Sequence, residues 1–212
     1  MIELAVLDIA GTTVDEHGAV YQALADATGV SEDDVEPWMG ADKKEAIAAL
    51  LGKSGRIVQD TFEDFRRRLA EAYELKPPVA LHGVPETIDR LRVNGVKVAL
   101  TTGFDRDVTT SILSTLRWED KVDAVVCTDD VPTGRPAPYM IFRAMEATGV
   151  VDVSRVLVAG DTTRDLEAGT NAGARMVVGV LTGGQNATTL GAVRHTHLLP
   201  SVADVLPYLA SA

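Results

Sequence analysis

The chain has a single cysteine, Cys127, in 212 residues, so no intramolecular disulfide can form. Aromatic residues make up only 5%, and no apolar run approaches the roughly 18 residues that a membrane-crossing helix needs. Basic charge is scarce as well: 20 Lys and Arg stand against 31 Asp and Glu, a net charge of −11. A field of that sign repels phosphate backbones and anionic lipid, so neither nucleic acid nor a membrane is expected as a partner. The one basic triplet, Arg66-Arg67-Arg68, lies in a helical pattern among Glu63, Asp64 and Glu71 and reads as a solvated helix face. The sequence opens without a basic-then-apolar leader, which points to the cytoplasm. Internal repeats and low-complexity tracts are lacking too, which excludes solenoids and propellers. Cys127 closes an apolar run and is expected to be a buried structural thiol.

What is present is the balance of a globular chain with a real core, 46% apolar and 24% charged. The length suits one domain of about 150 residues with an insert of roughly 60. Short apolar runs at 2–9, 96–100, 124–127, 155–159 and 175–180 each stop at a polar or glycine-containing turn and read as buried strands. Amphipathic stretches at helical spacing, 84–93, 108–116, 139–147 and 166–172, lie between them. Strand alternating with helix predicts an α/β fold with a Rossmann-like, doubly wound parallel sheet, because parallel strands need crossover connections. From about residue 18 to 82 no strand-like run occurs, and the periodicity is helical at 20–27, 44–51 and 57–73. Lys76-Pro77-Pro78 and the His82-Gly83 turn close that stretch. The expected organisation is a core of residues 1–16 and 83–212 interrupted by an inserted α-helical cap domain, 17–82.

Ligands of doubly wound sheets bind outside the carboxyl ends of the strands, which brings Asp8, Thr101, Asp161 and Asp165 to one crevice. The segments Asp8-Ile9-Ala10-Gly11-Thr12, Thr101-Thr102-Gly103 and Gly160-Asp161-Thr162-Thr163-Arg164-Asp165 resemble the first, second and fourth motifs of the haloacid dehalogenase superfamily of phosphohydrolases. Gly134-Arg135-Pro136, with arginine where most of that superfamily has lysine, resembles its phosphonatase-like branch. The resemblance implies an aspartyl-phosphate on Asp8, catalytic roles for Thr101 and Arg135, and phosphate contacts from Gly11, Thr12, Thr102, Gly103 and Arg135. It also implies Mg²⁺ held by Asp8, the Ala10 carbonyl, Asp161 and Asp165. The residue types suit those roles: a carboxylate nucleophile splits one displacement into two, a divalent ion masks its charge, and glycines let backbone N–H groups approach phosphoryl oxygens. Met39-Gly40-Ala41-Asp42-Lys43 resembles the cap segment that carries the Schiff-base lysine of phosphonoacetaldehyde hydrolases, which makes Lys43 a further catalytic residue, either covalent or as a charge contact.

Several departures bear on the reaction. Ala10 stands where most phosphatases of the superfamily carry the aspartate that protonates the leaving group. Ala46, Phe104 and the Gly18-Ala19 region stand where the phosphonoacetaldehyde hydrolases have a histidine, a tyrosine and a cysteine. The lost relay favours a phosphomonoester phosphatase, and the balance lies slightly on that side. The lost acid favours C–P cleavage of a carbonyl phosphonate through a Lys43 imine, and a catalytically silent binding module is a third reading. The expected partner is a small phosphorylated or phosphonylated metabolite, and the resemblance allows a homodimer through the cap. His17 reads as a solvent-exposed hinge residue, Trp38 as a packing residue of the cap, and His195 and His197 as structural. Asp105 and Asp107 read as acids at the amino terminus of the next helix.

Overall fold

The structure, a computed structural model, describes residues 1–209. Its strands are β1 (Leu4–Asp8), β2 (Val14–Asp15), β3 (Val79–Ala80), β4 (Lys97–Thr101), β5 (Ala124–Val126), β6 (Val156–Gly160), β7 (Met176–Val180) and β8 (His197–Leu199). Its helices are α1 (Ala19–Thr28), α2 (Glu32–Val35), α3 (Lys43–Leu51), α4 (Arg56–Leu75), α5 (Val84–Val93), α6 (Arg106–Leu116), α7 (Tyr139–Thr148), α8 (Thr163–Ala172) and α9 (Ala187–Gly191). Six strands form one parallel sheet in the order β5-β4-β1-β6-β7-β8, which is the doubly wound α/β fold expected from the sequence. No helix among the described residues is long and apolar enough to cross a membrane.

The order matters because β1 lies between β4 and β6, where the winding reverses, and its five residues are all buried. β1 stops at Asp8, earlier than the apolar run that continues to Ile9. The Ile9 carbonyl accepts the N–H groups of Thr12, Thr13 and Val14, a tight turn that takes the chain out of the sheet and leaves Asp8 at its carboxyl edge. β8 has no counterpart among the expected strands: three residues are too few for a periodic signal, and it forms by pairing with β7. His197 lies in β8 with its ring against Tyr208, and His195 bonds the Val193 carbonyl, so both histidines serve structure.

Helices α1 to α4 fill the stretch between β2 and β3. That stretch is not free of strand, since β3 pairs antiparallel with β2, so a two-residue ribbon ties the insert's entry to its exit. Two strand residues carry no alternation to read. The long helix α4 turns Val58, Phe62, Phe65 and Leu69 inward against α1 and α3. His17 is not solvent-exposed as expected: only 16% of its side chain is accessible, and it is pinned in the ribbon between the Asp15 carboxylate and the Pro77 carbonyl. Arg66 also departs from a solvated face, because it reaches from α4 to Asp107 (2.6 Å) and Asp105 (3.5 Å) at the start of α6. Asp105 caps α6 in addition, accepting the Val108 N–H. Trp38 is half-buried and packs against the hydrophobic cluster, with the Arg164 guanidinium 5.5 Å from its ring centroid. Cys127 is fully buried, and burial raises its thiol pKa.

Candidate active site

Asp8 ends β1 in register with Thr101 of β4, and Asp161 follows the last residue of β6 on the other side. The fold therefore brings residues from distant parts of the chain to one crevice at the sheet's carboxyl edge. Asp8, Asp161 and Asp165 are buried there, with carboxylate oxygens within 4.8 Å of one another. Burial and the Asp8 charge raise the Asp161 pKa to about 7, even though the Thr12 hydroxyl donates to its Oδ1 at 2.9 Å. Asp165 sits in the first turn of α8 and accepts the Thr162 N–H and hydroxyl. Arg135 Nη1 donates to Asp8 Oδ1 at 2.7 Å and also to Asp165. Its Nε is buried with no hydrogen-bond partner among the described residues, a donor still in need of an acceptor.

Two glycines permit this crowding. Gly11 has φ +82°, and a Cβ there would stand 2.6 Å from Asp161 Oδ2. A Cβ on Gly103 would stand 2.6 Å from the Ala41 carbonyl oxygen, so only glycine at the end of the second motif lets the cap loop settle onto the core.

Through that loop the cap delivers Lys43, the first residue of α3. Asp42 caps α3 by accepting the Glu45 N–H and accepts the Thr128 hydroxyl at 2.7 Å, which fastens the cap to the core. Lys43 Nζ donates to the Ala41 carbonyl at 2.9 Å and stands 5.3 Å from the Phe104 ring centroid. Burial lowers its pKa to about 8, and the nearby Arg135 cation adds to the effect. Asp42, Asp8 and Glu16 oppose the shift only in part. Lys44 points elsewhere, over the Phe62 ring.

Asp8, Ala10, Lys43, Thr102, Gly103, Arg135 and Asp161 line one closed cavity, joined by Glu16, Tyr21 and Thr162. Its volume of about 30 Å³ holds one or two waters. Thr101 and Thr12 are absent from that lining. Thr101 is held in the sheet, and the Thr12 hydroxyl is taken by Asp161, so of these three motif threonines Thr102 is the one that lines the cavity. Asp165 lies behind Arg135 instead of on the cavity wall. Glu16 and Tyr21 were not singled out from the sequence. A glutamate six residues after Ala10 is unremarkable in one dimension, and only its burial makes it informative.

The profile of the family described as haloacid dehalogenase-like hydrolase matches residues 5–179. A phosphonoacetaldehyde hydrolase of Bacillus cereus (strain AH820) is 31% identical over 207 residues, covering 86% of this chain and 76% of the relative. Among solved structures, a phosphonoacetaldehyde hydrolase-like protein from Oleispira antarctica superposes with a TM-score of 0.88 at 21% identity, over 99% of this chain and 92% of the other. A hydrolase from Pseudomonas syringae superposes with a TM-score of 0.82 at 23% identity, over 100% of this chain and 99% of the other.

Proposed function

This chain is a haloacid dehalogenase-like hydrolase, and we propose that it releases phosphate from a small carbonyl phosphonate, with Asp8 as nucleophile and Lys43 as the amine that forms an imine with the carbonyl. The observation that carries this reading is Lys43 itself: a buried amine of pKa about 8 that lines the same small cavity as Asp8. A buried lysine kept only as a charge contact gains nothing from so low a pKa, whereas an imine-forming lysine needs its free base near neutral pH. The missing relay residues tipped the sequence toward a phosphomonoester, and the environment of Lys43 tips the reading back. The relatives named phosphonoacetaldehyde hydrolase support it.

In this reading, neutral Lys43 adds to the carbonyl carbon, and loss of water leaves an iminium. Asp8 then attacks phosphorus. The P–C bond breaks with its electron pair drawn into the iminium as an enamine, which explains how Ala10 can replace the usual acid: the leaving carbon needs no proton at that moment. Protonation and hydrolysis of the enamine free the carbonyl product and Lys43, and water then releases phosphate from Asp8. Arg135 Nη1 orients the attacking carboxylate, and its unpartnered Nε is suited to a phosphoryl oxygen. The donors are hard oxygens, and Asp8, Asp161 and Asp165 gather three buried carboxylates, a set that would suit Mg²⁺. Asp8, Asp161 and the Ala10 carbonyl would hold it, with Asp165 behind them, tied to Arg135 and Thr162. When bound, it supplies masking of negative charge between nucleophile and phosphonate.

Sodium borohydride added with phosphonoacetaldehyde tests the assignment. Reduction should leave a stable mass adduct that peptide mapping places on Lys43, with phosphate release stopped. Turnover of phosphomonoesters with no adduct from any carbonyl phosphonate would replace this reading with a phosphatase. The Thr12 hydroxyl provides a further check on the metal. Thr12→Val removes the bond that aims Asp161, and the Mg²⁺ concentration for half-maximal activity should rise about 10- to 100-fold.

A further inference from the structure

Imine chemistry needs a group that takes a proton from the lysine and returns one to the departing hydroxyl, and no residue assigned so far does this. Glu16 is buried to 7% exposure at the start of the cap, and its Oε2 is fixed by the Val20 N–H at 2.8 Å in the first turn of α1. It lines the closed cavity beside Lys43 and Asp8. It also lines a second cavity of about 200 Å³, whose other walls include Gly11, Thr182 and the exposed Gly18 and Gly184. Ala10, Glu16, Tyr21 and Asp161 are common to both, so the two cavities adjoin and Glu16 stands between the sealed site and water.

From this placement we propose that Glu16 is the proton-transfer residue for imine formation on Lys43, exchanging protons with water through the second cavity. The proposal rests on the imine reading above. The Glu16 carboxylate takes a proton from the Lys43 ammonium, and the resulting amine adds to the carbonyl carbon. A proton moves from nitrogen to the new alkoxide. The Glu16 carboxylic acid then protonates that hydroxyl as its C–O bond breaks, water departs, and the nitrogen lone pair forms the iminium opposite a Glu16 carboxylate. After the P–C bond breaks, Glu16, reprotonated from the second cavity, delivers a proton to the enamine carbon.

The surroundings agree with such a role. Burial raises the Glu16 pKa, while the Val20 N–H and Lys43 hold it back toward its ordinary range. Both nearby phenols, Tyr21 and Tyr73, are kept protonated by burial, with the charge of Glu16 adding to the effect. Tyr73 further has no hydrogen-bond partner among the described residues. Ala10, which carries no proton-transfer group, lines the same cavity as Asp8 and Glu16.

Glu16→Gln keeps the shape and the acceptor for Val20 N–H but cannot carry a proton. It should slow single-turnover borohydride trapping of phosphonoacetaldehyde about 10²- to 10⁴-fold and lower kcat by a similar factor with little change in KM. Glu16→Ala should regain part of that rate when formate is added, because a small carboxylic acid can reach the gap through the second cavity. Circular dichroism confirms that each variant is folded. Trapping in Glu16→Gln at the wild-type rate, or a rise in KM alone, overturns the proposal. Absence of trapping in the wild-type enzyme overturns instead the imine reading on which it rests.

Discussion

Asp8→Asn is expected to lower phosphate release by about 10⁴-fold or more while leaving the imine on Lys43 intact. The amide cannot form the acyl phosphate, yet nothing in carbonyl addition passes through that carboxylate. Borohydride should therefore still trap the substrate carbonyl on the variant, and phosphate assay of the same samples should read background. The variant should also remain folded, because Asp8 raises the pKa of the buried Asp161 and removing its charge relieves that repulsion. Loss of trapping along with turnover would mean that the two steps are not separable at this site, and that Asp8 takes part in carbonyl chemistry as well.

Lys43→Met should abolish both trapping and phosphonate turnover, and it should make the protein more stable at neutral pH. The folded-state pKa of about 8 lies below the ordinary lysine value of 10.5, so the buried ammonium is a burden that the unfolded chain does not carry. Between those two values the folded chain binds fewer protons than the unfolded one, and wild-type stability rises with pH across the window. Below pH 8 the penalty is complete, on the order of 3 kcal/mol for a shift of that size. Denaturant titrations from pH 6 to 10.5 should show Lys43→Met more stable than wild type at pH 7, with the pH-dependent rise removed. Gain of stability with loss of function at one residue is the signature of a group kept for chemistry. Equal stability of the two proteins at pH 7 would place the lysine in a wetter setting than the cavity described above.

Activity should follow the same group from the other direction. If free Lys43 is required before the cap closes, the rate of imine formation should rise with pH toward about 8 and level off above it.

Most of the sheet was readable along the chain because its central strands are buried on both faces. β1, β6 and β7 are short apolar runs ended by glycine or polar turns, and their length and flanks favour buried strands over helix segments. The helical character of the insert was equally plain, since α1, α3 and α4 each bury one face. Asp8, Asp161, Arg135 and Lys43 stand out because their motifs are local, each a strand end or loop of three to six residues. Short pairings were not legible: β3 and β8 exist only because a partner strand lies beside them. Nor could the sequence choose between adjacent threonines, since register in β4 turns Thr101 into the sheet and leaves Thr102 at the cavity. Its order alone determined which chemical groups this protein owns and roughly where the strands end. Only the tertiary structure decided which of them share a water-poor space, and that decision sets their chemistry: burial beside Arg135 brings the Lys43 pKa down to about 8, and a place between two cavities makes Glu16 a carboxylate of consequence.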